Sequence, residues 1–544
     1  MDRPHRPAGF LRPAGIPERV VEDAIMDKYV IEFSPVGKKT VASGSDTILD
    51  AAMSCGVYIN ASCRGLGRCG KCKVTVTKGI VRTKEAVDEN GVYVACRTYP
   101  LSDLKILVPE AWILPERQSV DRVEEVKNKP LLGKDACIAV DIGTTSVAAY
   151  LVDTLSNKPV GLASAINRQV VYGEDVVSRI EYAKKNGTAK LKSGIVETIN
   201  DLIADLSRYR DSFAIRGLFA AGNTTMTYLF LDKDPQAIRK NLDLDEFRAS
   251  YKADARALGL TIDGRIQTMP GISGYVGGDI VGDILTCGIN KGTGISMLID
   301  IGTNGEIAIG NKDWLAACST SAGPAFEGGS IACGIRAGIG AIERVEIDDG
   351  VARYSTVGNE KPIGICGSGL IDLVAALFSE GIIDHEGRIK GESKEYVVVP
   401  KEDSGSGKDI RITESDIENI ILSKAALYAG AVTMTKIGIP FHELDKIYVA
   451  GDFGYHIDYE NAVTIGLLPD LPKEKYQFIG NGSLKGALMA MTSEEKRKDA
   501  EKIAAKATYV DLSGNKTFSA EYMDALYFPH KDVTRFPSVD KRIR

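Results

Sequence analysis

Ile138-Ala139-Val140-Asp141-Ile142-Gly143-Thr144-Thr145-Ser146-Val147-Ala148-Ala149-Tyr150-Leu151-Val152-Asp153 runs as an apolar stretch, a turn rich in glycine and hydroxyls, and a second apolar stretch. Two buried strands joined by a tight turn are what that pattern predicts. Glycine lets a backbone approach phosphate oxygens, threonine hydroxyls and amide N–H groups donate to them, and an aspartate can hold a hydrated Mg2+. One such hairpin is also what an ordinary β-turn looks like. The pattern recurs as Met297-Leu298-Ile299-Asp300-Ile301-Gly302-Thr303-Asn304-Gly305-Glu306-Ile307-Ala308-Ile309-Gly310, about 160 residues further on. Two Asp-Ile-Gly-Thr sequences predict a duplicated domain with one phosphate-gripping hairpin in each half.

Working outward, Lys446-Ile447-Tyr448-Val449-Ala450-Gly451-Asp452-Phe453-Gly454 is a further apolar strand ending in a glycine turn. Such a turn is the usual entry to a nucleotide-binding crevice at a strand's carboxyl end. Between these segments lie Gly222-Asn223-Thr224-Thr225-Met226, Gly277-Gly278-Asp279-Ile280 with Asp283, Ser321 to Gly329, and Cys366-Gly367-Ser368-Gly369. Any one could be a tight loop in an α/β fold, but their clustering between the hairpins favours a crevice lining. The residues expected to hold nucleotide are Gly143, Thr144, Thr145, Gly302, Thr303, Asn304, Gly323, Gly367, Gly451, Phe453 and Gly454, with Asp141 and Asp300 as the acids of the site.

Ahead of the first hairpin the chemistry is different. Cys63, Cys69 and Cys72 follow a C-x5-C-x2-C spacing and Cys96 comes later. The first gap is one residue longer than in the plant-type iron–sulfur signature, as in adrenodoxin-like ferredoxins. A 2Fe-2S cluster needs four thiolates converging on two irons, and Gly65, Gly67 and Gly70 let a short loop supply three of them. Structural zinc is the alternative, but it usually takes two C-x2-C-type pairs and only one is present. Residues 29–33 and 38–42 read as a hairpin, 46–55 as a helix stopped at Gly56, and 71–77 and 105–108 as further strands. Cys137, Cys287, Cys318, Cys333 and Cys366 are scattered singly and read as structural thiols.

Lys and Arg number 67 against 73 Asp and Glu, a net charge of −6, which gives no basic footprint for nucleic acid. Length of 544 residues calls for several domains, and no apolar run is long enough to span a membrane. Residues 1–26 carry four prolines and no secretory core, so they read as a disordered extension, with Met26 a candidate start and the cysteines in a reducing cytoplasm. The expected layout is 1–26 extension, 27–108 ferredoxin-like domain, 109–133 linker, 134–296 first ATPase lobe, 297–530 second ATPase lobe, and 531–544 a tail free to fray. Neither a Walker loop nor a G-x-G-x-x-G following an early strand occurs, which argues against a built-in flavin or nicotinamide reductase.

The two hairpins with the Gly451 turn resemble the phosphate-1, phosphate-2 and adenosine motifs of the superfamily that includes acetate and sugar kinases, Hsp70 and actin. That resemblance implies two ribonuclease-H-like lobes closing over ATP, behind an N-terminal β-grasp 2Fe-2S domain. By position Asp279 matches an acid in the superfamily's first connecting helix, which makes it the candidate for orienting the attacking water. A ferredoxin domain followed by such an ATPase closely resembles the reductive activators of corrinoid proteins. The resemblance implies 2Fe-2S, ATP and Mg2+ as cofactors, ATP-dependent delivery of one electron to Co(II) to regenerate Co(I), a corrinoid protein as acceptor, an unidentified low-potential donor and a homodimer. Two other readings remain open: a metabolite kinase of this superfamily with an appended iron–sulfur redox sensor, and an activator of radical acyl-CoA dehydratases, which uses a 4Fe-4S cluster shared between protomers.

Overall fold

The computed structural model describes residues 27–61, 65, 67, 70–84, 91–109, 130–208, 213–241, 245–436, 439–451 and 457–539. The expected extension 1–26, Met26 and most of the expected linker lie outside them. By contacts the chain forms two units, Met1–Arg117 with Arg168–Tyr182, and Gln118–Asn167 with Ala183–Arg544.

In the first unit β1 (Lys28–Ser34) and β2 (Lys38–Ser43) form the expected hairpin. They join β3 (Lys73–Lys78), β5 (Val92–Val94) and β7 (Leu104–Leu107) in a sheet of order β2-β1-β7-β3-β5, while β4 (Val81–Thr83) pairs with β6 (Thr98–Pro100). Ile31, Phe33, Val74, Leu104 and Ile106 point from alternate strand positions into a core closed by Ile48, Leu49 and Ala52 of the helix Ile48–Ser54. That helix starts two residues later than its sequence suggests. Thr47 caps it in a reciprocal box with Asp50, while Asp46 is spent accepting from the Ser43 N–H in the preceding turn.

The second unit is built on two sheets of matching plan. β8 (Asp135–Ile142), β9 (Ser146–Asp153) and β10 (Lys158–Ile166) form an antiparallel meander, with β11 (Ala214–Gly222) parallel to β8. β12 (Lys252–Asp254) and β13 (Arg265–Thr268) complete the order β10-β9-β8-β11-β13-β12. β14 (Ser296–Ile301), β15 (Gly305–Gly310) and β16 (Leu315–Thr320) repeat the meander. An excursion follows, with β17 (Ala341–Asp348), β18 (Val351–Thr356) and β19 (Gly364–Ile365) in one small sheet and β20 (Glu395–Val399) and β21 (Ile410–Thr413) in another. Then β22 (Ile447–Ala450), β23 (Tyr476–Gly480) and β24 (Ala507–Tyr509) close the order β23-β22-β14-β15-β16-β24. In each sheet the first hairpin is central and flanked on one side by parallel strands, which is the ribonuclease-H-like plan read from the repeated motif.

Residues Phe219, Ile280, Leu298, Ala308 and Leu484 share a single buried cluster, so helices Gly278–Cys287 and Gly482–Thr492 pack with both sheets. The two helices approach through glycines: a Cβ on Gly486 would lie 2.4 Å from the Gly282 Cα.

The C-terminal end corrects one expectation. Residues from Lys531 onward were expected to fray, yet Phe536 is fully buried and Val539 is 2% exposed. The ammonium of Lys424, itself fully buried, donates to the carbonyls of Tyr527 and Pro529, Arg535 pairs with Glu521 at 2.7 Å, and the Ser538 N–H donates to Asp470 at 2.8 Å. Backbone and charge are thus satisfied inside the fold as far as Val539, which outweighs the chain-end entropy that terminal position suggests. Among the described residues no helix is long and apolar enough to cross a membrane.

Candidate functional site

In the first unit the cysteine site begins with sterics. Cys72 is fully buried and Cys96 is 7% exposed, and the Ala95 N–H donates to the Cys72 carbonyl at 2.7 Å, holding the two segments together. The Cys96 side chain, hydrogen-bonded to the Cys72 thiol, outweighs burial and lowers that thiol to about 7. Gly67 has φ +69°, and a Cβ there would fall 1.8 Å from Arg97 Nε, because the Arg97 guanidinium lies over it and donates to its carbonyl at 2.7 Å. Two adjacent buried thiols, one readily ionised, beside a loop that only glycine can follow suit thiolate ligation of an iron–sulfur cluster. Cys63 and Cys69 lie outside the described residues.

The same unit holds a segment drawn from far along the chain. Tyr58 donates its hydroxyl to Glu174 at 2.7 Å, and Glu174 also receives the Ala61 N–H. Burial raises the Glu174 carboxyl, against the lowering effect of these two donors. Segment Arg168–Tyr182 therefore sits with the domain that carries the cysteines, although Asn167 before it belongs to the second unit.

In the second unit the two hairpin tips meet: Thr145 Oγ1 and Thr303 Oγ1 are 2.7 Å apart. Around the first tip, Asn223 caps the helix Thr224–Phe230 through Oδ1 and donates from Nδ2 to Thr144 Oγ1 at 3.0 Å. Fully buried Asn167 donates to the Gly143 carbonyl at 2.9 Å while its own N–H reaches the Thr145 carbonyl. Asp141 accepts from Asn481 Nδ2 at 2.9 Å on one oxygen and from Ser483 Oγ at 2.7 Å on the other. Around the second tip, the Gly302 N–H reaches the Asn304 carbonyl, the Gly323 N–H donates to the Thr303 carbonyl at 3.0 Å, and Thr303 Oγ1 donates to Glu327 Oε1 at 2.8 Å. Gly451 has φ +110° and abuts Asp300: a Cβ there would strike the Ile301 carbonyl at 2.4 Å and lie 3.3 Å from Asp300 Oδ1. Asp141, Gly143, Thr144, Thr145, Asp300, Gly302, Thr303, Asn304, Gly323 and Gly451 are thereby linked in one neighbourhood. Gly367 opens the helix Gly367–Ser379. Phe453 and Gly454 lie outside the described residues.

Asp279 stands in the first turn of the helix Gly278–Cys287, where its Oδ1 accepts the Ile280 N–H. Burial raises it to about 6. One turn on, Asp283 is pushed well above the usual carboxylate range by burial and then by Asp300, Asp279, Asp141 and Glu306. Glu306 is raised by burial, then by Asp279 and Asp300. Asp283 Oδ2 and Glu306 Oε1 are buried without a hydrogen-bond partner. Such a concentration of acid suits a site that receives a cation together with its ligand. Among the described residues no three His, Cys, Asp or Glu side chains converge closely enough to bind a metal ion by themselves.

Sequence reasoning missed Asn167, Glu327, Asn481, Ser483 and the acid role of Glu306. Glu306 was visible as the acid two residues after the second Gly-Thr-Asn, and Asn481-Gly482-Ser483 as a cap following an apolar strand; the others carry no local signal.

Comparison with known proteins adds the following. The family model described as the C-terminal domain of RACo, the ASKHA domain, matches residues 294–540. The RACo middle region matches residues 136–292, and a 2Fe-2S iron–sulfur cluster binding domain matches residues 31–101. The corrinoid activation enzyme RamQ of Eubacterium limosum is 31% identical, over 88% of this chain and 96% of its own. The Co(II) methylated amine-specific corrinoid protein reductase of Methanosarcina barkeri is 25% identical, over 72% of this chain and 76% of its own. A solved structure of a reductive activator for corrinoid, iron–sulfur protein superposes with a TM-score of 0.70 at 34% identity, covering 94% of this chain and all of that one.

Proposed function

This chain belongs to the family of reductive activators of corrinoid proteins, and from that premise we propose that it spends ATP to pass one electron to a corrinoid protein, returning Co(II) to Co(I). The observation that carries the reading is the contact between Thr145 and Thr303, which joins two phosphate hairpins in a chain that also buries the Cys72–Cys96 thiol pair.

We assign the cluster to Cys63, Cys69, Cys72 and Cys96 as a 2Fe-2S centre, which when bound supplies a single electron at low potential, near −400 mV for plant-type ferredoxins. Arg97, which lies over Gly67 and donates to its carbonyl, would support the loop that carries the ligands. For ATP we assign the hairpin backbones and the hydroxyls of Thr144 and Thr145 to the phosphates, and Asp141 and Asp300 to a Mg2+ that keeps most of its water. Asn481 and Ser483 hold both oxygens of Asp141 and so fix its direction. Burial and neighbouring acids push the carboxyls of Asp283 and Glu306 well above the usual range, and nucleotide entering with its cation would favour their ionised forms. ATP supplies the coupling because each ~100 mV of uphill transfer costs roughly 2.3 kcal/mol for one electron. Lobe closure can meet that cost by stabilising the form of the partner that is easier to reduce.

Lys71 and Lys73, on either side of Cys72, present positive charge to an acidic face of the acceptor, so the rate should fall as salt rises. The donor is a low-potential carrier, the working form a homodimer and the compartment the cytoplasm. The test is stopped-flow absorbance of Co(I) formation with the reduced protein and a corrinoid partner, in the presence of ATP, ADP or no nucleotide. Full, fast Co(I) formation only with ATP is expected; equal formation without nucleotide ends the coupling reading.

A further inference from the structure

Glu327 lies in the turn Ala325–Glu327, beyond the second hairpin in sequence, yet its carboxylate reaches back to that hairpin's tip. Oε1 accepts the Thr303 hydroxyl at 2.8 Å; Oε2 is buried with no hydrogen-bond partner. A hydroxyl has one proton to give. Since Thr303 gives its proton to Glu327, the 2.7 Å contact between the two threonines must be donated by Thr145. The three side chains thus form a polarised line, Thr145 to Thr303 to Glu327, running from the first phosphate hairpin across the second to a carboxylate with a spare acceptor.

The surroundings hold that carboxylate in place. The Gly323 N–H is tied to the Thr303 carbonyl, and the Glu327 N–H to Pro324, so the turn is anchored at the hairpin itself. Gly328, at φ +78°, ends the turn where any Cβ would collide with the Ile335 backbone at 2.6 Å. The carboxylate lies against the hairpin tip: a Cβ on Gly302 would stand 3.7 Å from Glu327 Oε1.

We propose that Glu327 is the general base of ATP hydrolysis, its Oε2 accepting a proton from the attacking water while Thr303 fixes Oε1. The assignment rests on the ATPase reading above. In the step, the water oxygen forms the new bond to the γ-phosphorus as the bond between that phosphorus and the β–γ bridging oxygen breaks. ADP leaves with the bridging oxygen, one water proton passes to Glu327 and then to solvent, and the other stays on inorganic phosphate. A base in this position contributes about 10²–10⁴ in rate.

The test uses the full-length, cluster-containing protein and three chains: wild type, Glu327→Gln and Glu327→Asp. Gln keeps the Thr303 contact and cannot take the proton, so Glu327→Gln should bind ATP within about threefold of wild type by calorimetry and turn it over at least about 100-fold more slowly. Glu327→Asp, which keeps a carboxylate at this position, should recover part of kcat. Far-UV circular dichroism and the retained ATP binding report that each variant is folded. Turnover of Glu327→Gln within a few-fold of wild type, or an equal loss of ATP affinity and kcat, overturns the assignment while leaving the ATPase reading standing. A wild-type protein that neither binds nor hydrolyses ATP brings down both.

Discussion

The two hairpins share the letters Asp-Ile-Gly-Thr and little else. In the first, Asp141 faces Ala148 across the ladder, and both its oxygens are taken by Asn481 and Ser483. In the second, Asp300 faces Glu306, and the acids around it include Asp283 with an oxygen left unpartnered. The first turn is also one residue longer, since Ile142 pairs with Val147 where Ile301 pairs with Gly305. The two hairpins therefore repeat one strand–turn–strand plan and differ in the charges around it. Asp141 is a carboxylate fixed by donors, whereas Asp300 lies among buried acids whose carboxyls are pushed upward.

The sharpest way to break this contrast is to remove the fixed carboxylate. Asp141→Ala is expected to slow ATP hydrolysis by about 10²–10³, the scale of losing a preorganised charged group, with the iron–sulfur absorbance unaltered. Unchanged turnover would mean that the first hairpin does not serve the metal side of the reaction. A milder probe loosens the same carboxylate. Asn481→Ala leaves one Asp141 oxygen without its donor and should cost roughly tenfold in kcat/KM, on the scale of about 1.5–3 kcal/mol for a hydrogen bond to a charged group. Equal rates in the variant and wild type would show that Asn481 is not needed to orient Asp141.

The buried acids make their own prediction about pH. Burial raises Asp279 from 3.8 to about 6 in the folded protein, so between those values the folded state holds a proton that the unfolded chain has released. Stability of the nucleotide-free protein should then fall as pH rises from about 4 to about 6, with this group adding at most about 1.4 kcal/mol per pH unit. Asp279→Asn should flatten that part of a urea-unfolding series. A series unchanged by the substitution would remove Asp279 from the acid group. The smallest effect belongs to the supports of the first hairpin: Asn223→Ala strips the cap from the helix Thr224–Phe230 and the donor from Thr144, for about 1 kcal/mol in denaturant unfolding.

How legible all this was depends on range along the chain. The hairpins, the Gly451 turn and the cysteine spacing are local patterns, and the sheets follow them because alternating apolar residues must bury one face. Asp141's partners were not legible, because Asn481 and Ser483 approach it only after the helix Gly482–Thr492 crosses the helix Gly278–Cys287 at the Gly282–Gly486 contact. Glu327 was quoted only as part of a glycine-rich loop, since nothing in Pro324-Ala325-Phe326-Glu327-Gly328 says that the turn folds back on Thr303. The buried C-terminus escaped for the same reason. Its anchor, Lys424, lies in the helix Glu414–Thr435, about a hundred residues upstream.

The Tyr58–Glu174 bond bears on modularity. A fusion of two ready-made parts would place its seam between residues 109 and 133, and the ferredoxin part could then be exchanged like a cartridge. Here the segment Arg168–Tyr182, encoded inside the ATPase portion, is structurally a piece of the iron–sulfur part, so the seam runs through two places in the gene. A transplanted ferredoxin domain would leave Glu174 a buried carboxyl without its phenol, and a chain beginning at Pro130 would carry an orphaned strip of its former neighbour. The unit of inheritance for the redox half is therefore residues 27–109 together with 168–182, and a chimera that respects both segments is the one whose halves will fit.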